Sequence, residues 1–185
     1  MLPKLVPSIL LVASVSVPRD AQGTGQRIRL RHDTIVAGVS CGPTGRASAE
    51  LHPNGRLDQC PISVDTVIAG HHFPRGTWIR LTERGVLKGV WLPEPQMVQG
   101  LACRGTGFQG WAVTFHENGA LDLCYLDEVM TIDGVPCAAA TFLTEMTGNS
   151  GVSMRADGRL NSCRLARDFE YGGVRHKKRS RFTLP

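Results

Sequence analysis

Six cysteines carry the clearest chemistry in this 185-residue sequence. An even number of cysteines is typical of a set of disulfides in a protein exported to an oxidising compartment. The alternative is a metal site, but structural zinc sites usually place two cysteines within about four residues of each other. No two cysteines here are that close, so the sequence predicts disulfides and neither a metal nor a cofactor. The six are Cys41, Cys60, Cys103, Cys124, Cys137 and Cys163.

A serine and two histidines are the candidates for catalysis. Residues 148–151 read GNSG and resemble the nucleophile loop of trypsin-like serine proteases, in which a serine works with a histidine base and an aspartate. No histidine here lies in a segment that resembles the histidine motif of that family. His71 and His72 are adjacent, and adjacent residues of a strand point to opposite faces, so the two rings do not converge on one ion. A small secreted hydrolase that uses Ser150 or a loop histidine is the alternative hypothesis for function.

An internal repeat must position these side chains. Five segments align without a gap, with an aliphatic residue at the third position and glycine at the eleventh. The glycines are 32, 30, 34 and 39 residues apart. A glycine that never varies predicts a positive φ or a close backbone approach. The segments read IRLRHDTIVAGVSC, CPISVDTVIAGHHF, VWLPEPQMVQGLAC, CYLDEVMTIDGVPC and CRLARDFEYGGVRH.

The stretches between these segments predict β-hairpins. Each alternates apolar and polar residues on both sides of a turn, as a half-buried hairpin does. Three of the turns suit a three-residue loop closed by a left-handed glycine, namely Pro53–Gly55, Glu117–Gly119 and Ala156–Gly158. The predicted cross-strand pairs are Leu51 with Leu57, Leu81 with Leu87 and Phe115 with Leu121.

The predicted fold is therefore all-β, a tandem array of four β-hairpin repeats and a truncated fifth over residues 27–176. In arrays with periods of this size, the units stack because no unit buries its apolar face alone. Leu121 and Cys124 have opposite parity along their strand. Either a bulge lies between them or the cysteine points to the other face of the sheet.

Two disulfide schemes fit the repeat. Partners at the two ends of each repeated segment, 13 residues apart, would pair a cysteine with another residue type in four of five cases. Partners that flank each hairpin are either all cysteine or all apolar, the apolar pair being Phe73 and Val90. The second scheme is favoured, and each bridge is worth roughly 3 kcal/mol in the chain-entropy model. The predicted disulfides are Cys41–Cys60, Cys103–Cys124 and Cys137–Cys163.

The units resemble bacterial β-hairpin repeats of the MORN and antitoxin-like type. The resemblance extends from Ile28 to His176 and rests on the PNG, ENG and ADG turns with their alternating flanks. The aromatic and glycine-rich signature of MORN units is missing, the period is longer, and the cysteine pairs are additional. The resemblance implies an elongated, curved sheet that serves as a scaffold or a binding surface, and it implies no reaction.

The second position of the repeated segments predicts the binding surface. Its neighbour at the third position is the buried aliphatic residue, so the second side chain faces outward. Trp91 and Tyr125 hold this position in two segments, and Arg29 and Arg164 hold it in two others. An exposed row of this kind can stack on sugar rings or on side chains of a partner, so we expect a protein or glycan ligand.

The two ends of the chain differ from the repeat. Residues 1–21 contain one lysine before an apolar run that is too short to span a bilayer, which predicts a signal peptide. Residues 177–185 predict a basic, disordered tail. The formal net charge is +5, and five basic residues near the C-terminus equal this excess and predict contact with an anionic surface. They are Arg175, Lys177, Lys178, Arg179 and Arg181.

Together these features predict a non-catalytic scaffold or binding module at the cell envelope or outside the cell, with a periplasmic or extracellular location. A nucleic acid is not the expected partner, because the basic tail has almost no aromatic residues to stack on bases.

Overall fold

The computed structural model describes residues 25–43, 48–105, 113–141, 143–144 and 150–185. The predicted signal peptide, residues 1–21, lies outside these ranges. The described residues form short strands, and the predicted all-β class is confirmed; Leu143 and Thr144 are the described residues with a helical backbone. The strands are β1 (Gln26–Arg29), β2 (Thr34–Val36), β3 (Val39–Cys41), β4 (Ser48–Leu51), β5 (Leu57–Pro61), β6 (Thr66–Ile68), β7 (His71–Phe73), β8 (Trp78–Leu81), β9 (Leu87–Trp91), β10 (Gln96–Val98), β11 (Leu101–Cys103), β12 (Val113–Phe115), β13 (Leu121–Tyr125), β14 (Met130–Ile132), β15 (Val135–Cys137), β16 (Gly151–Met154), β17 (Leu160–Arg164), β18 (Phe169–Tyr171), β19 (Val174–His176) and β20 (Arg181–Thr183).

Half of these strands form one antiparallel sheet of ten strands, in the order β1-β4-β5-β8-β9-β12-β13-β16-β17-β20. The other ten pair as five small hairpins, β2–β3, β6–β7, β10–β11, β14–β15 and β18–β19. Each small hairpin has two consecutive positive-φ residues at its turn, the second of which is the unvarying glycine. That backbone is the type I′ turn, whose twist matches the twist of its strands.

The hairpins of the ten-stranded sheet have the predicted register. Leu51 faces Leu57, Leu81 faces Leu87 and Phe115 faces Leu121. The register shifts by one residue just beyond each of these pairs, so each return strand contains a bulge. The bulge lets Leu121 and Cys124 both be buried, and it resolves the parity question in favour of the first alternative.

The core lies on one face of the ten-stranded sheet and includes residues of the small hairpins. One row of core residues crosses the sheet from β4 to β20 and is almost completely buried: Ala49, Cys60, Ile79, Val90, Val113, Cys124, Val152, Cys163 and Phe182. The three predicted disulfides are confirmed, and each links a small hairpin or its end to this row with a Cα–Cα distance of 5.7–5.9 Å. The β8–β9 hairpin has no disulfide. Phe73 and Val90 occupy the positions that cysteines hold at the other hairpins, and both are fully buried.

The predicted disorder of residues 177–185 is wrong. Residues 181–183 form β20, which pairs with β17, and Phe182 and Leu184 are buried. The preceding junction repeats an earlier one: the Arg179 N–H donates to the Leu165 carbonyl at 2.9 Å, as the Gly76 N–H donates to the Ile62 carbonyl at 2.9 Å. The basic composition of the segment concealed two apolar residues at strand spacing.

Candidate binding surface

The face of the ten-stranded sheet opposite the core carries the residues predicted for binding. Strand register places them in one transverse row, which we call the outer row. Among the residues whose side chains the structure describes, it comprises Arg29 of β1, Pro61 of β5, Trp78 of β8, Trp91 of β9, Tyr125 of β13, Gly151 of β16, Arg164 of β17 and Arg181 of β20. The outer row alternates along each strand with the core row, because successive strand residues point to opposite faces.

Two tryptophans form the centre of the outer row. Trp78 and Trp91 are directly opposite each other, with ring centroids 6.0 Å apart and planes at 76°. Both rings are half-buried, and Pro61 lies opposite Trp78 on its other side. Edge-to-face packing of this kind fixes the two rings and leaves part of their surface to water. Sequence reasoning missed Trp78, although the register of the β8–β9 hairpin, continued past its bulge, places it opposite Trp91.

Tyr125 extends the aromatic part of the row. β12 lies between β9 and β13, so the strands of Trp91 and Tyr125 are about 10 Å apart. Tyr125 is directly opposite Gly151, and its Cε1 atom lies 3.8 Å from the position that a Cβ atom of Gly151 would occupy. Because glycine has no side chain, the side chains of Leu123 and Tyr125 cover β16 at this point, and Leu123 Cδ1 lies 2.7 Å from the same Cβ position.

An arginine pair ends the row. Arg164 and Arg181 are directly opposite each other on β17 and β20. Arg164 Nε donates to the Arg179 carbonyl at 3.0 Å, and Arg181 Nη2 donates to Ser162 Oγ at 2.7 Å. No carboxylate among the described residues pairs with either guanidinium. The structure therefore brings Arg164 together with one residue of the predicted basic tail, whereas Arg29 lies at the far end of the row, on β1.

The next row on the same face is different, because its charges are compensated. Arg27 pairs with Glu50 at 2.5 Å, and Arg80 Nε lies 3.2 Å from Asp58 Oδ1. Further along, the Thr114 hydroxyl donates to the Asp122 carboxylate at 2.9 Å and the Asn161 amide donates to Ser153 Oγ at 3.1 Å. Hydroxyl and amide groups thus accompany the aromatic row along the sheet.

Three of the basic residues predicted to contact an anionic surface lie off the outer row. Arg175 is on β19 and pairs with Asp168 at 2.6 Å, while the Lys178 N–H donates to the same carboxylate at 2.8 Å. The backbone hydrogen bond from Lys178 and the guanidinium of Arg175 lower the pKa of Asp168. Lys177 and Lys178 are exposed in the junction before β20.

The candidates for catalysis are not brought together. Ser150 is 2% exposed, and its Oγ has no hydrogen-bond partner in the described part of the chain. His71 stacks on Phe115 with ring centroids 5.3 Å apart, whereas His72 is exposed. As predicted, the two histidines do not converge. Residues 148 and 149 of the GNSG motif lie outside the described ranges.

Within the described ranges, no cluster of three or more His, Cys, Asp or Glu side chains could hold a metal ion. None of the helical residues described belongs to a helix with the length and apolar character needed to cross a membrane. Comparison of the chain with protein-family models, with curated proteins and with solved structures finds no match.

Proposed function

We propose that the protein is a non-catalytic binding module that uses the outer row of the ten-stranded sheet to hold a glycan. The observation that supports this most is the alignment of two tryptophans, a tyrosine and two arginines on one face, in one register. Trp, Tyr and Arg are the residue types that contribute most often to binding energy at recognition surfaces. A row of half-buried aromatic rings with hydroxyl and amide groups beside it suits sugar rings, which offer apolar faces and hydroxyl edges.

The proposed location is the periplasm or the extracellular space. Three formed disulfides are typical of a protein that folds in an oxidising compartment. There the array serves as a scaffold at the cell envelope or outside the cell. The exposed charges of Lys177 and Lys178 form a second, electrostatic contact with an anionic surface.

The test is a glycan array followed by calorimetry on the best neutral and acidic oligosaccharides. Trp91→Ala and Tyr125→Ala should each lower affinity about tenfold or more, because each removes a ring of the platform. Tyr171→Ala is the matched control, since Tyr171 is 41% exposed on β18 and off the outer row. Failure of the wild-type chain to bind any glycan, or equal losses in all three variants, would contradict the proposal.

The hydrolase hypothesis has a direct test as well. A serine nucleophile needs access to solvent and a base within hydrogen-bond reach. Ser150 is buried without such a partner among the described residues, so we expect no labelling of the folded protein by a fluorophosphonate probe. Labelling that Ser150→Ala abolishes would replace the binding proposal with a catalytic one.

A further inference from the structure

We infer that the ligand of the outer row is an acidic saccharide whose ring stacks on Tyr125 and whose anionic group binds between Arg164 and Arg181. This inference rests on the proposed function and names the ligand class for the same surface. It follows from three features of the β13–β20 end of the sheet.

The first feature is the uncompensated charge of the arginine pair. Like charges directly opposite each other on neighbouring strands are destabilising. In the next row, by contrast, Arg27 is compensated by Glu50 and Arg80 by Asp58. Arg164 and Arg181 face each other instead, and the protein partners of their side chains are a carbonyl and a hydroxyl. An anion placed between them would relieve this repulsion.

The second feature is preorganisation. The hydrogen bonds to the Arg179 carbonyl and to Ser162 Oγ use Nε of Arg164 and Nη2 of Arg181. A guanidinium has five N–H donors, so each side chain keeps further donors for a ligand while its position is fixed. Fixed guanidinium groups suit a carboxylate or a sulfate, which accept two parallel hydrogen bonds from one arginine.

The third feature is the short distance between the ring and the charges. Only β16 separates the strands of Tyr125 and Arg164, and at this row β16 contributes Gly151. The distance from β13 to β17 is therefore about 10 Å, and the surface over Gly151 is formed by the side chains of Leu123 and Tyr125. A sugar ring over Tyr125 can extend its acidic substituent, or that of the next ring, to Arg164 and Arg181. The tryptophans on β8 and β9 then receive rings further along the same chain.

The probe is an oligogalacturonate, with its methyl ester as the uncharged counterpart of the same length, and a sulfated oligosaccharide as a second source of anionic groups. Affinity should be at least tenfold higher for the acid than for the ester, and should fall as salt concentration rises. Arg164→Gln and Arg181→Gln should each reduce affinity for the acid about tenfold and reduce affinity for the ester by a much smaller factor. Arg164→Lys should restore only part of the loss, since lysine keeps the charge without the planar fork.

Arg175→Gln is the matched control, because it removes one positive charge on β19, off the outer row. If Arg175→Gln and Arg164→Gln lose affinity for the acid equally, overall charge explains the effect and the inference is overturned. Equal affinity for acid and ester would also overturn it, but would leave the proposed function intact if Trp91→Ala still lowered affinity for both about tenfold. Preference for the sulfated probe alone would keep the arginine site and assign it to sulfated sugars. Far-UV circular dichroism and thermal unfolding of each variant separate lost binding from lost folding.

Discussion

The side-chain amide of Gln99 holds the backbone of Leu121 in the next hairpin. Gln99 Oε1 accepts a hydrogen bond from the Leu121 N–H at 2.9 Å, and its Nε2 donates to the Gly119 carbonyl at 2.8 Å. Asp133 does the same one unit later, where its Oδ2 accepts from the Leu160 N–H at 2.7 Å. One side chain at the tip of a small hairpin thus ties that hairpin to the turn of a large one.

Ala69 holds the same turn position in the β6–β7 hairpin, and its side chain has no polar group that could accept a hydrogen bond. It also has a left-handed backbone with φ of 52°, a conformation that aspartate tolerates better than alanine. Ala69→Asp should therefore stabilise the protein by about 1 kcal/mol at neutral pH, through a hydrogen bond to the Leu87 N–H and a better turn residue. Urea unfolding measures the change.

Asp133→Ala is the reverse experiment and should cost a similar amount, because it removes the hydrogen bond from Leu160. The gain from Ala69→Asp should shrink in acid, where the new carboxylate is protonated and accepts less strongly. If Ala69→Asp leaves the free energy of unfolding unchanged, the hydrogen bonds that Gln99 and Asp133 make to the large hairpins do not contribute to stability.

The disulfide between Cys103 and Cys124 should be a large single contribution to stability. The two cysteines are 21 residues apart, and the chain-entropy model assigns a bridge of this loop length about 3 kcal/mol. Cys103→Ala with Cys124→Ala should lower the free energy of unfolding by at least that amount, because both side chains are fully buried as well. Guanidinium unfolding measures the loss.

A peptide map of the unreduced protein is the control for this experiment. It should contain three cross-linked peptides, and the double variant should lose only the one that joins 103 to 124. Free thiols in the wild-type protein, or other pairings, would refute the assignment.

The hairpins and disulfides could be predicted because the spacing of turn glycines and cysteines in the sequence determines which residues pair. The turn glycines fix the register, and the register together with the all-or-none distribution of cysteines fixes the pairing. The bulge between Leu121 and Cys124 was one of two alternatives. Parity alone does not distinguish a bulge in the strand from a cysteine that points to the other face of the sheet. Burial of both residues settles it.

The C-terminal strand and its contribution to the outer row, Arg181, could not be predicted in the same way. Basic residues at 177–181 are typical of a solvated tail, and the hydrogen bonds that fold this junction use backbone groups that any residue supplies. Phe182 and Leu184, two apolar residues at strand spacing, were the local signal. Once β20 is in place, Arg181 lies opposite Arg164, a neighbour that no sequence motif encodes.

Asp168 should make stability depend on pH in the acid range. Its carboxylate accepts from the Lys178 N–H and from Arg175, and Lys177 is also near, so its pKa in the folded protein is lowered. A folded-state pKa below the unfolded value stabilises the protein above pH of about 4, and this contribution is lost as the pH falls through the folded-state pKa.

Asp168→Asn should therefore lower the melting temperature at pH 7, and the difference from wild type should narrow as the pH falls below about 4. Glu170→Gln is the control, since Glu170 is an exposed carboxylate on the same small hairpin. A gap between Asp168→Asn and wild type that stays constant from pH 7 to pH 2 would show that the side chain matters for packing and not for charge.

Gly151→Ala should weaken ligand binding more than it weakens the fold. The added Cβ would lie 2.7 Å from Leu123 Cδ1, so the leucine side chain must move, and 3.8 Å from Tyr125 Cε1, which is an ordinary van der Waals contact. The end of a half-buried leucine side chain moves easily, and the stability cost should be about 1 kcal/mol. Affinity for the acidic oligosaccharide, measured by calorimetry, should fall about tenfold, because the added methyl group and the displaced Leu123 side chain stand on β16, between Tyr125 and Arg164. Thr131→Ala, at an exposed residue of β14 off the outer row, is the control and should leave affinity unchanged. If Gly151→Ala binds as tightly as wild type, the ligand does not bridge Tyr125 and Arg164 across β16, which contradicts the proposed site for an acidic saccharide.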